Sequence, residues 1–182
     1  MMWVVRADDE GLRLTAETLL AGGVAVIPTD TVYGLAAHPS CAAAVERLYT
    51  IKARDARKPI ALLACDAAAA EGFVGRTAAA VAAPHWPGAL TVVAQGEGLR
   101  VPDHAWTRRL LAACGGVLRV TSANLSGRRA ATDAPAALRE VGLSADVVVD
   151  DGVSPGGAAS TVVKVAEDGT VTVLREGPVK LA

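Results

Sequence analysis

The sequence is poor in cysteine, in aromatics and in surplus charge of either sign, and each shortage closes off a class of protein. Its three cysteines, Cys41, Cys65 and Cys114, are widely spaced and show no Cys-x-x-Cys or Cys/His pattern. A disulfide framework or a zinc ribbon is therefore not expected, and the thiols read as small buried apolar residues in a reducing cytoplasm. Aromatics at 3% leave few side chains to stack on bases, and 18 basic against 19 acidic residues give a net charge of -1. Both argue against a chain whose main work is coating nucleic acid or an anionic membrane, so any anion site must be local. Long apolar runs are missing too. The longest stretch without Asp, Glu, Lys or Arg, Thr77 to Gly96, is broken by Pro84, His85, Pro87 and Gly88 and makes no clean membrane helix. The start, MMWVVRADDEG, lacks the basic region, apolar core and cleavage site of a secretion signal, so a cytoplasmic location is expected.

What is present is an alternation of short apolar runs with helical ones, in a chain of 182 residues that fits one domain. WVV at Trp3–Val5 predicts a strand, and LRLTAETLLAGG a helix with Leu12, Ala16, Leu19 and Leu20 on one side and Gly22 as its stop. VAVIP follows as a buried strand, and Ser40 is placed to cap a helix through CAAAVERLYTIK. PIALLA predicts a strand, Asp66 a helix cap, LTVVAQ and LRVP two strands, Asp103 to about Ala113 a helix, and VLRVT another strand. Asp133 caps APAALREVG with Pro135 in its first turn, and DVVV, STVVKV and VTVL close the chain as strands, the last two joined through EDGT as a hairpin. The expected fold class is α/β, a mixed sheet covered by helices.

Three segments carry more polar chemistry than such a scaffold needs. IPTDTVYGL crowds Thr29, Asp30, Thr31 and Tyr33 behind a buried strand. IKARDARKP puts Lys52, Arg54, Arg57 and Lys58 within seven residues, which reads either as a solvated helix end or as a phosphate clamp. In LRVTSANLSG a strand runs into Thr121, Ser122, Asn124 and Ser126. That is either a turn bonding its own backbone or a ligand loop at a strand's carboxyl end. His38, His85 and His104 lie scattered in loops and read as structural, with Asp103–His104 as a helix start, and no metal site is expected.

IPTDTVYGL, KARDARKP, HWPGALTVV, GLRVPDH and VTSANLSG, in this order and continuing through ASTVV and VLREG, resemble the YrdC family. These are the L-threonylcarbamoyladenylate synthases that begin threonylcarbamoyladenosine synthesis for tRNA position 37. The resemblance covers nearly the whole chain and implies a YrdC-like twisted open sheet with a basic concave cleft. The family pairs Lys-x-Arg with Ser-x-Asn, here Lys52, Arg54, Ser122 and Asn124 as the catalytic set. It further implies that Thr29, Arg100, Val120 and Ser160 line a threonine pocket walled by Thr31 and Tyr33. Arg54, Lys58, Ser122 and Arg175 would contact ATP. Lys52→Ala and Arg54→Ala are expected to abolish the reaction and leave the fold intact.

The implied substrates are L-threonine, bicarbonate and ATP, with Mg²⁺ expected to arrive on the phosphates. The implied partner is the tRNA threonylcarbamoyl-transfer machinery, with weak RNA binding as an activity sometimes attributed to the family. Some members carry a second C-terminal domain. With Ala182 following VLREGPVK so closely, the expectation is a single domain over residues 1–182, closed by its own loops or by a partner. The chain departs from the family at Asp55, where Pro is common, and at Leu63, where some members place a threonine-contacting His. It departs also at Ala130, where a hydroxyl residue can contact ATP, at Lys164, where Asp is frequent, and in the short segment before Arg100. Two other readings stand beside the synthase: a related carbamoyl-adenylate-forming enzyme, and a non-catalytic RNA-binding module.

Overall fold

The buried run VAVI and the short run GLAA, only six residues further on, form the centre of the structure. The computed structural model describes residues 2–181. In it β2 (Val24–Ile27) turns through the Thr29–Tyr33 segment and returns as β3 (Gly34–Ala37), antiparallel, with Ile27 opposite Gly34. All eight residues of the two strands are buried. The return strand was not among the expected elements, because GLAA is short, small-sided and buried on both faces and so shows no alternation.

Around this pair the remaining strands complete one ten-stranded sheet. They are β1 (Trp3–Arg6), β4 (Leu62–Ala64), β5 (Leu90–Ala94), β6 (Glu97–Arg100), β7 (Val117–Ser122), β8 (Val147–Asp150), β9 (Thr161–Val165) and β10 (Val171–Arg175). Their order is β1-β8-β2-β3-β7-β4-β6-β5-β9-β10. The pairs β1/β8, β2/β8, β4/β6 and β5/β9 are parallel and the others antiparallel, so the expected mixed sheet is what forms. The β9–β10 hairpin is present, and β5 and β6 are joined by a tight turn in which Gln95 and Gly96 both take positive φ, 52° and 82°.

Helices α1 (Asp9–Leu20), α2 (Ala42–Lys52), α3 (Ala67–Ala82), α4 (Ala105–Ala113) and α5 (Ala134–Glu140) flank the sheet. Asp8, Asp66 and Asp133 cap three of them, each accepting an N–H from three residues on, at 2.7–2.8 Å. Three local expectations are corrected. Leu20 points to solvent, and the buried side of α1 is completed by Thr15, whose hydroxyl donates to Gly11 O. Ser40 does not cap α2: the helix starts from Cys41, and the Ser40 hydroxyl bonds His38 Nδ1 at 2.7 Å. His104, not Asp103, stands at the start of α4. No helix among the described residues is long and apolar enough to cross a membrane.

Candidate active site

The chain brings every sequence-predicted site residue to two adjoining cavities that share Arg54 and Ser122 as common wall. The first, about 300 Å³, is bordered by Thr29, Thr31, Tyr33, Arg100, Val120, Ser160 and Arg175 as well as by the two shared residues. The second, about 350 Å³, adds Lys52, Lys58 and Asn124. Sheet order explains the convergence. The β2–β3 turn, the C-terminal end of β7, the end of β6, the start of β9 and the last residue of the β10 edge all face the same hollow.

The Thr29–Tyr33 turn is held by its own hydroxyls. Thr29 Oγ1 donates to Val32 O at 2.6 Å, and Thr31 Oγ1 lies 3.1 Å from Thr29 Oγ1 and accepts from Arg100 Nη1 at 2.7 Å. Donors therefore run one way, from Arg100 through Thr31 and Thr29 to the Val32 carbonyl. The Thr29 proton is spent on the turn, so in this structure Thr29 shapes the pocket instead of offering a donor to it. Tyr33 is fully buried; its hydroxyl donates to Gly152 O at 2.8 Å and accepts from Asp151 N at 3.0 Å, tying the turn to the loop after β8. Burial pushes this phenol's pKa up.

Arg100 is 6% exposed. Its Nε donates to Gly88 O at 2.8 Å and its Nη2 to Asp30 Oδ1, forming an ion pair between two nearly buried side chains. Burial presses the guanidinium below its usual range, and Asp30 opposes that shift. Across the cavity Ser160 shares a 2.7 Å hydrogen bond with Thr91, and the Arg175 fork grips Ser160 O at 2.7 and 3.0 Å.

Lys52, the last residue of α2, is 2% exposed. Neither a solvated helix end nor a free arm of a phosphate clamp describes it, because Nζ is fixed: it donates to Ser122 O, to Asn124 O at 2.5 Å and to Asn124 Oδ1 at 3.5 Å. The Lys52 carbonyl accepts from Ser126 N at 2.9 Å, so the loop after β7 wraps the residue from both sides. Burial, aided by the Arg54 charge, lowers this ammonium to about 8. Asn124 is a scaffold for that loop, its amide donating to Leu125 O and Arg128 O at 2.8 Å. Beyond Lys52 the chain turns through Ala53 at φ 48°. Arg54 then donates from Nε to Lys58 O at 3.0 Å and from Nη2 to Pro59 O at 3.2 Å, which curls the segment around the second cavity.

The departures from the family pattern have definite places. Asp55 is an acid beside the clamp, but Arg57 takes it with a fork at 2.7–3.1 Å and holds its carboxyl below the usual range. Leu63, 6% exposed, borders the first cavity among Val93, Val120 and Val162. Ala130 borders neither cavity, and Lys164 lies exposed on β9 away from both. His38 bonds Ser40 and Cys114 O, His104 bonds Thr107 and Asp151, and none of the three histidines borders either of these two cavities. Residues not foreseen are Asp30 as the partner of Arg100, Arg57 as the partner of Asp55, and Thr91. Asp30 stood in the quoted motif, whereas nothing near Thr91 in sequence singles it out.

Residues 17–177 match the family model Sua5/YciO/YrdC, described as "Telomere recombination". This chain belongs to that family. A Mycobacterium leprae relative is 35% identical over 94% of this chain and 85% of its own length. The threonylcarbamoyl-AMP synthase of Homo sapiens is 31% identical over 92% and 67% respectively. Among solved structures, P. abyssi Sua5 complexed with L-threonine superposes with a TM-score of 0.87 at 26% identity. That match covers 97% of this chain and 57% of the P. abyssi one, so this chain spans little more than half of that relative. E. coli YciO, at 24% identity and a TM-score of 0.81 over 97% and 95%, shares the fold. The Sua5/YciO/YrdC assignment and the twisted mixed sheet agree with the resemblance of the quoted motifs.

Proposed function

We propose that this protein is an L-threonylcarbamoyladenylate synthase, a nucleotidyltransferase that uses the first cavity for the amino acid and the second for the phosphates of ATP. The observation that carries the reading is the convergence of the Lys-x-Arg and Ser-x-Asn residues with a buried, oriented arginine across one shared wall. Relatives bearing the synthase name, and one solved with L-threonine, support it.

The threonine amine and bicarbonate lose water to give a carbamate. A carbamate oxygen attacks the α-phosphorus, and the bond to the β-phosphate oxygen breaks to release pyrophosphate. Both partners are anions, so the protein must position them and screen their repulsion. Among the residues bordering the first cavity the charged ones are Arg54, Arg100 and Arg175; no carboxylate borders it with them, Asp30 being paired with Arg100 from outside that lining. Arg100 would take the threonine carboxylate, Arg54 and Lys58 the phosphates, Arg175, which borders the first cavity, the part of the nucleotide that reaches the amino acid, and the buried Lys52 would be a fixed positive charge behind Ser122. Mg²⁺ would arrive on ATP: the residues of the phosphate end suit phosphate oxygens, and the carboxylate there, Asp55, is occupied by Arg57. The unstable product would pass to the tRNA threonylcarbamoyl-transfer machinery in the cytoplasm.

Pyrophosphate release from ATP and bicarbonate, measured with threonine, serine, valine or carbamoyl phosphate in turn and with the nucleotide product weighed by mass spectrometry, tests the proposal. A threonylcarbamoyl-AMP mass is expected with threonine, lost in Arg54→Ala at wild-type melting temperature. Turnover with carbamoyl phosphate alone moves the protein to the carbamoyl-adenylate class, and no turnover with any of them favours a binding role.

A further inference from the structure

The two ends of the joined cavities treat charge in opposite ways. At the Leu63–Val120–Ser160 end the buried cation is Arg100, and it carries its own counter-ion, Asp30, which does not itself border the cavity. The carboxylate backs the guanidinium and leaves each terminal nitrogen with one further N–H. Arg175 also faces Arg100 and adds positive charge for Asp30 to offset. At the other end the bookkeeping is reversed. The carboxylate, Asp55, is the group that has been neutralised, by Arg57. Arg54 there has carbonyl partners only, and among the described residues the Lys58 ammonium has no hydrogen-bond partner.

Resting on the functional reading above, we infer that Asp30 is a specificity-determining residue that keeps the phosphate chain out of the amino-acid end. Coulomb attraction scales with the product of charges, so removing one unit of site charge weakens the hold on a trianion three times as much as on a monoanion. Asp30 removes that unit where Arg100 is buried and salt screens least. A single carboxylate can still be held by the directed N–H groups of Arg100. A triphosphate finds less to attract it there and is drawn to Arg54 and Lys58. Asp30 is thus a built-in competitor, discriminating by repulsion as specific sites commonly do.

Titration calorimetry of L-threonine, with and without saturating metal-free pyrophosphate, tests this on the wild type and on Asp30→Asn. In the wild type, pyrophosphate should shift the threonine Kd by less than about twofold, and in Asp30→Asn it should raise it about tenfold or more. Asp30→Glu keeps the charge and should restore wild-type behaviour. Competition in the wild type, its absence in Asp30→Asn, or a Glu variant as sensitive as the Asn variant would each overturn the inference. If circular dichroism shows Asp30→Asn unfolded, Asp30→Ser is measured in its place and judged by the same criteria. Wild-type protein that binds no threonine at all would instead remove the functional reading beneath it.

Discussion

A lysine that is 2% exposed, with its ammonium on the acceptors of a neighbouring loop, is part of the protein's framework as well as of its site. Lys52→Ala is therefore expected to lose activity and also about 1–3 kcal/mol of stability, because Asn124 O is left buried without a donor while Ser122 O keeps only the Asn124 N–H. Urea unfolding checks this, and an unchanged midpoint would return Lys52 to the status of a cleft residue. The lowered pKa adds a pH dependence. From about 8 up to the ordinary lysine value of 10.5 the unfolded chain holds a proton that the folded one has shed, so this group's contribution to stability rises with pH across that window. Activity should run the other way, falling as pH rises through about 8 and the fixed cation disappears; a flat pH–rate profile from 7 to 9 would contradict the role. The motifs showed which residue types mattered at Lys52, Arg54, Ser122 and Asn124. Which of them would be buried was not legible, since it is decided by a contact between residues 70 apart.

The site is built from returning elements, and those are what the pattern of residues conveyed least well. Strands of four to six apolar residues and the Asp-capped helices were readable, whereas β3 was not, although it carries the turn that faces the cavity. Its first residue shows why it exists in this form. A Cβ on Gly34 would come within 2.6 Å of a Val120 methyl, so only glycine lets β3 lie against β7 there. A second close approach occurs where the loop after β8 crosses the Thr29–Tyr33 turn. Gly156 N–H donates to Asp30 O at 2.9 Å, and a Cβ on Gly156 would stand 2.6 Å from that oxygen and 3.1 Å from Thr31 Cα. Gly156→Ala must lift the loop off the turn and disturb the Thr31–Arg100 alignment. Threonine affinity is expected to fall about tenfold or more with ATP affinity little changed, since misplacement of a positioning group is costly. Equal loss of both ligands by calorimetry would show that the loop is not specific to the amino-acid end.

Across the whole molecule the ten strands are unequal. β2 and β3 lie buried at the centre, whereas all five residues of the edge strand β10 are exposed. Yet Arg175, the last residue of that edge, is fixed to Ser160 and borders the first cavity. Ligands that engage Arg175 should therefore protect β10 amides from hydrogen exchange more than they protect β1 at the opposite margin. Equal protection of both edges would mean that binding tightens the sheet generally. Order of the sheet was legible only in part, because its neighbours are set by crossovers and not by local pattern: β7 and β4 pair across more than fifty residues. β10 also bears Val171, Val173 and Leu174 on its open flank, with Leu174 56% exposed. Unpaired apolar edges recruit other chains. Under the proposed function, a nucleotide that added its own contacts to Arg175 would steady that margin as well as react there, so scarcity of substrate would leave the molecule more adhesive.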